Sequence, residues 1–199
     1  MIEDEEIIKN YHLLKQVIEN CKRENENFKN IYLNFFEITT FIALMFFAKK
    51  NPDFLVIETG LGGRLDATNI INSDIALITN ITFDHTAILG NSLKEIAYEK
   101  AGIIKNRELC IYADSLPELE EEINKKTENS INIIKKYNDM EIELDKTNYK
   151  TLIKFQNNEF ILPLFGKFQA NNFLLAYETA KFYNIDNETI QNGVHKVYW

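Results

Sequence analysis

The chain has 199 residues, 45% of them hydrophobic and 12% aromatic. That is enough to bury a core in one domain and too apolar for a disordered chain. A net charge of −8, with no Lys/Arg cluster interleaved with aromatics, excludes a nucleic-acid-binding surface.

The acidic start Ile2-Glu3-Asp4-Glu5-Glu6 is unlike a secretory signal. Apolar positions Ile7, Ile8, Tyr11, Leu14, Val17 and Ile18 predict an amphipathic helix from Asp4 to about Arg23. Asn25 to Asn30 is polar and reads as a loop. Phe35 to Lys49 predicts a second helix, apolar on most sides and so expected to be buried against a sheet. Its apolar run to Phe47 contains Glu37 and is too short to span a bilayer, so no membrane segment is expected. Phe54-Leu55-Val56-Ile57 and Ile75-Ala76-Leu77-Ile78 are short apolar runs of the kind found in strands buried on both faces of a parallel sheet. Ser92 with Glu95 forms a capping-box pattern that opens a helix through Lys100.

Leu109 to Tyr112 predicts another strand, Pro117 to Lys126 a short helix, and Ile131 to Ile134 a further strand. From Glu141 to Leu164 apolar residues alternate, with Asn157-Asn158 as a turn, which predicts an antiparallel hairpin or meander. Gln169 to Tyr183 and Asn187 to His195 read as helices. The expected class is therefore α/β, a mostly parallel sheet flanked by helices, with an antiparallel strand set in its second half. Residues 1–199 show no internal repeat and no domain linker. Cys21 and Cys110 lack metal-ligand spacing and are expected to be reduced thiols in a cytoplasmic protein.

Five of the 7 glycines, Gly60, Gly62, Gly63, Gly90 and Gly102, fall between Glu58 and Lys105. Glycine is needed where backbone turns through positive φ or approaches another group closely. Such a concentration marks a candidate site, because ligands of open α/β sheets bind outside the carboxyl ends of strands. Glu58 and His85 are expected at or just past such ends. With Lys100 they form a candidate metal set: carboxylate and imidazole bind divalent ions, and a lysine carbamoylated by CO2 becomes an anionic oxygen ligand. The competing structural readings are a strand-terminal Glu bonded to backbone amides, an ordinary Asp84-His85 turn and a solvated helix lysine. The Gly60–Gly63 loop can lie against a ligand or be only a tight connection. Asp66 and Asn69 can cap the next turn. Arg64 can hold phosphate or pair with Asp66. Gln169 and Asn172, at a helix start, can bind a ligand or cap. His12 and His195 have no partner in view.

The sequence Glu58-Thr-Gly-Leu-Gly-Gly-Arg-Leu-Asp-Ala-Thr-Asn69 resembles the signature of the folylpolyglutamate synthase/dihydrofolate synthase family of the Mur ligase superfamily. Asp84-His85-Thr86, Leu89-Gly90 and Glu99-Lys100-Ala101-Gly102-Ile103-Ile104-Lys105 match its next signatures in order. Phe36-Glu37-x-x-Thr40 and Gly166-x-x-Gln169-x-x-Asn172 resemble further family motifs, so the resemblance runs from about Asp4 to Trp199.

That resemblance implies an ATP-dependent ligase of the cytoplasm. ATP phosphorylates a carboxylate of dihydropteroate or a reduced folate, and the amine of L-glutamate attacks the acyl phosphate. It implies Mg2+ on Glu58 and His85, Lys100 as a carbamate, and the Gly60–Gly63 loop, Arg64, Asn69, Gln169 and Asn172 on the nucleotide side. It also implies a monomeric full-length enzyme.

Three departures stand out. The G-x-x-x-x-G-K-[S/T] phosphate loop is absent from the sequence, Phe168 replaces the family's His, and the Pro-Gly-Arg segment that follows a tryptophan like Trp199 is lacking. The 199 residues are thus expected to be a partial Mur ligase central ATP-binding domain, without its phosphate-loop segment and C-terminal domain, and inactive alone. The alternatives are a non-catalytic remnant that keeps the fold and another Mur-type amide ligase.

Overall fold

Local capping and periodicity account for most helices of the structure, a computed structural model that describes residues 2–105 and 108–197. Trp199 lies outside the described residues. Two units divide the chain: residues up to Leu61 together with Asp66–Ile70, and Gly62–Leu65 together with the residues from Ile71 onward.

In the first unit, α1 spans Asp4–Glu24, with Asp4, Glu5 and Glu6 in its first turn and Lys22 and Arg23 in its last. Both ends thus complement the helix dipole. Helix α2, Phe35–Lys50, opens on a capping box in which Glu37 N donates to Asn34 Oδ1 at 2.9 Å and Asn34 N donates to Glu37 Oε2 at 2.7 Å. It ends at Asn51 in the left-handed region. The two helices pack on each other. The expected burial of α2 is incomplete: Ile42 is its buried residue, and Phe35 is 81% exposed.

Residues 54–57 are not the strand that their apolar run suggests. They lie in irregular backbone, with Phe54 60% and Val56 90% exposed. A run of four apolar residues meets the strand pattern whether or not a neighbouring strand exists, and only ladder hydrogen bonds make a strand of it. Glu58 consequently follows an irregular segment rather than a strand end.

The second unit holds the parallel sheet, in order β1-β2-β3, with β1 Ile75–Ile78, β2 Leu109–Tyr112 and β3 Ser130–Asn132. Strand β1 takes β2 as its parallel partner, Ile75 opposite Leu109 through Ile78 opposite Tyr112. The third strand is shorter than expected. The side chain of Asn132 accepts from Ile134 N and Lys135 N, and this cap converts the rest of the apolar run into α6, Ile133–Lys136. Helices α3, Thr86–Leu89, and α4, Leu93–Ala101, connect β1 to β2, and α5, Pro117–Asn124, connects β2 to β3. Helices α4 and α5 pack together and bury Ile96, Ala97, Ala101, Leu119 and Ile123.

The antiparallel set is β4 Glu141–Asp145, β5 Lys150–Phe155 and β6 Asn158–Leu162. Its second turn is Gln156-Asn157, both at positive φ, one residue earlier than expected. Helices α7, Phe168–Phe182, and α8, Asn187–Val194, follow. Leu109 and Ile111 of β2, Ile153 and Phe155 of β5, Phe160 and Leu162 of β6, and Phe173, Leu174 and Tyr177 of α7 share one hydrophobic core. This core joins the two sheets through α7.

Candidate functional site

The glycine-rich loop owes its shape to Asp66. Asp66 Oδ2 accepts from Gly60 N and Leu61 N, each at 2.9 Å, and Oδ1 accepts from Thr68 N at 2.9 Å and Thr68 Oγ1 at 2.6 Å. Its carbonyl accepts from Asn69 N at 2.9 Å, closing the short 3-10 turn Ala67–Ile70. Partial burial pushes the Asp66 carboxyl upward, but the Thr68 hydroxyl and the three backbone N–H groups outweigh it and hold the pKa below the ordinary value. A depressed folded pKa stabilises the fold above the unfolded value of about 3.9, and that contribution is lost as pH falls through the lower folded value. Hydrogen-exchange protection at Gly60 and Leu61 is therefore expected to fall below about pH 3.9. Asp66→Asn should remove this pH dependence and cost about 1–2 kcal/mol, read by urea denaturation.

His85 lies on the connection that follows β1 and immediately precedes α3. Its backbone is left-handed, φ 49° and ψ 36°, where it caps α3. Non-glycine residues in that region are uncommon, and His is among the types that tolerate it. Asp84 Oδ1 accepts from His85 N at 2.8 Å, and His85 Nε2 lies 3.6 Å from Asp84 Oδ2. Both side chains are exposed.

The segment leading to His85 is fastened from the neighbouring strands. Ile81 N donates to Asp114 Oδ2 at 2.6 Å, Ala113 N donates to Ile78 O at 2.9 Å, and Asn132 Nδ2 donates to Asp114 O at 3.0 Å. Asp114 and Asn132 thus tie three strand ends together, and the motif reading missed both. Their signal was positional: Asp114 stands two residues beyond the apolar run Leu109–Tyr112, where strand ends meet ligands.

The remaining candidates separate. Lys100 sits in the last turn of α4, which opens on the expected Ser92/Glu95 capping box. It is half-buried, and no hydrogen bond or ion pair holds its amine among the described residues. The Arg64 guanidinium donates to Glu99 Oε1. Gln169 is buried and accepts from Asn172 Nδ2 at 3.2 Å, so neither residue caps α7. Gly62 takes φ +68°, the left-handed turn expected of the loop. Glu58, in the first unit, is exposed with no side-chain partner among the described residues. His85 and Lys100 belong to the second unit. Among the described residues no group of three or more His, Cys, Asp and Glu side chains is arranged to hold a metal. No helix of the described residues is long and apolar enough to cross a membrane.

A parallel sheet flanked by helices, joined to an antiparallel sheet, with polar residues gathered at the carboxyl edge, has solved counterparts. A Thermotoga maritima folylpolyglutamate synthase superposes with a TM-score of 0.75 at 27% identity, covering 100% of this chain and 46% of that one. An Escherichia coli FolC solved with DHPP and ADP superposes with a TM-score of 0.69 at 25% identity, covering 86% of this chain and 41% of that one. The Bacillus subtilis dihydrofolate synthase/folylpolyglutamate synthase is 33% identical over 179 residues, 82% of this chain and 41% of the relative. The chain belongs to the Mur ligase family, whose middle-domain model matches residues 10–180. It spans less than half the length of each of these three relatives.

Proposed function

We propose that this chain is the larger part of the ATP-binding domain of a cytoplasmic ligase that joins L-glutamate to dihydropteroate or a reduced folate. The observation that carries this reading is the family match over residues 10–180, in a chain whose glycine-rich loop and Glu99–Lys105 segment carry the folate-branch motifs. The E. coli protein was solved with DHPP and ADP, which supports a nucleotide as one ligand. Cytoplasmic residence is supported by two free cysteines, Cys21 and Cys110.

The family resemblance is what assigns Mg2+ to Glu58 and His85. This ion usually takes one or two protein carboxylates and completes its shell with water and substrate phosphate, so a three-residue cage is not required. Glu58 offers a carboxylate with no side-chain partner among the described residues, and His85 offers an exposed imidazole at the start of α3. When bound, the metal neutralises charge on the transferring phosphoryl oxygens. Lys100 offers an amine with no ion pair among the described residues, which can bond the carbon of CO2, release a proton to solvent and become an anionic carbamate. Gln169 and Asn172, bonded to each other at the start of α7, are the pair that the family resemblance assigns to the nucleotide side. The phosphate cradle itself has no counterpart in this sequence.

Titration of the purified chain with Mn2+, followed by electron paramagnetic resonance, tests the metal assignment. Glu58→Gln and His85→Ala are each expected to weaken Mn2+ binding at least about tenfold. Unchanged binding in both variants would remove these residues from the metal site.

A further inference from the structure

Lys100 lies where two backbone segments approach more closely than side chains would allow. Arg64 N donates to Glu99 O at 2.8 Å. The Arg64 guanidinium donates to Glu99 Oε1 through Nε at 3.1 Å and Nη2 at 2.9 Å, and its central carbon lies 5.3 Å from the centroid of the Tyr98 ring. A Cβ on Gly63 would fall 2.8 Å from Glu99 O and 3.0 Å from Lys100 O. From the other side, a Cβ on Gly102 would collide with Arg64 Cβ. Glycines on both strands of this crossing therefore let the Gly62–Arg64 segment seat itself on the last turn of α4.

The contacts surround Lys100 without touching its amine. Tyr98 and Glu99 precede it, its carbonyl faces Gly63, and Gly102 follows. The side chain stays half-buried, with no hydrogen-bond or ion-pair partner to compete for it among the described residues. An isolated exposed ion pair would do little here. In this pair one guanidinium makes two hydrogen bonds to a carboxylate, stacks on a ring and shares its residue's backbone bond to the same glutamate. That combination fixes direction as well as distance.

We infer that Arg64 is a positioning residue for Lys100, acting through Glu99 and Tyr98, rather than a ligand for phosphate. The inference rests on the proposed role of Lys100 for its meaning in function, but the geometry can be tested without that role.

The test is competitive acetylation of the purified chain with trace isotope-coded acetic anhydride, quantified by mass spectrometry. Lys94, exposed on the same helix, is the internal reference. Arg64→Ala is expected to change the Lys100:Lys94 labelling ratio at least about threefold, because the stack and fork that orient the turn are gone. Arg64→Lys should recover only part of the wild-type ratio, since an ammonium keeps the charge and loses both. A purely structural role would loosen the helix and move both lysines together, leaving the ratio unchanged. A ratio within about 1.5-fold of wild type in both variants would overturn the inference; should Arg64→Ala not fold, Arg64→Lys and Glu99→Gln decide by the same ratio. A separate arm examines the role of Lys100. Carbon-13 NMR after incubation with labelled bicarbonate should show a carbamate signal that is lost in Lys100→Ala. Its absence from the wild-type chain would remove the carbamate while leaving the labelling ratio to judge Arg64.

Discussion

Purified chain incubated with ATP, Mg2+, a reduced folate or dihydropteroate, and labelled L-glutamate should incorporate no label above a Lys100→Ala control. The acyl-phosphate route needs the γ-phosphate held in line for attack, by backbone amides of a glycine-rich loop and its lysine. The sequence contains no G-x-x-x-x-G-K-[S/T] motif, and the glycines it does concentrate serve other ends. Gly60 donates its N–H to Asp66, and Gly63 lies against the carbonyls of Glu99 and Lys100. Loss of a single preorganised donor costs roughly a hundredfold to a thousandfold in rate, so loss of the entire cradle should leave nothing measurable. Label incorporation by the wild-type chain, absent from the Lys100→Ala control, would show that these residues support catalysis without the loop. The proposal that these 199 residues are inactive by themselves would then fail.

The second large effect concerns stability. Phe160→Ala should destabilise the second unit by about 3–5 kcal/mol, because a buried phenyl ring is replaced by a cavity that its neighbours cannot fill. Phe160 is 2% exposed and stacks on Phe155 with ring centroids 5.7 Å apart. It also meets Phe173 at 4.8 Å and Tyr177 at 5.5 Å, rings carried by α7. The substitution therefore removes contacts from the antiparallel sheet and from the helix that joins it to β2. Domains are stable by only about 5–15 kcal/mol, so the loss is a large share of the total. Urea denaturation should show a lower midpoint at an unchanged slope. A loss below about 1 kcal/mol would mean that this aromatic cluster is not the core of the unit.

Much of the fold was legible because its determinants are local. The Ser92/Glu95 capping box lies within four residues and forms as read. The alternation from Glu141 to Leu164 encodes two hairpins, since a period of two places every second side chain on one face. Leu109–Tyr112 is a strand with all four residues buried. The apolar run Phe54–Ile57 looked equivalent to Ile75–Ile78 and is not, because a strand is defined by hydrogen bonds to another segment. The run Ile131–Ile134 was divided by one side chain, Asn132, whose amide oxygen accepts from the N–H groups of Ile134 and Lys135 and so turns the chain into a helix.

For the site, the sequence by itself determined the local inventory. The glycines, the turn-forming Asp66, and the placing of Lys100 in the last turn of a capped helix all follow from residues within a few positions of one another. Tertiary structure decided the pairings. Arg64 is 35 residues from Glu99, and Ile81 is 33 residues from Asp114. At such separations sequence states only that a cation and an anion, or a donor and an acceptor, are available. Which of many candidates meet depends on the register of β1 against β2 and on the close crossing that Gly63 and Gly102 permit. Hydrogen bonds act over about 3 Å, so a choice among partners that far apart in sequence is made by packing, after the chain has been brought together.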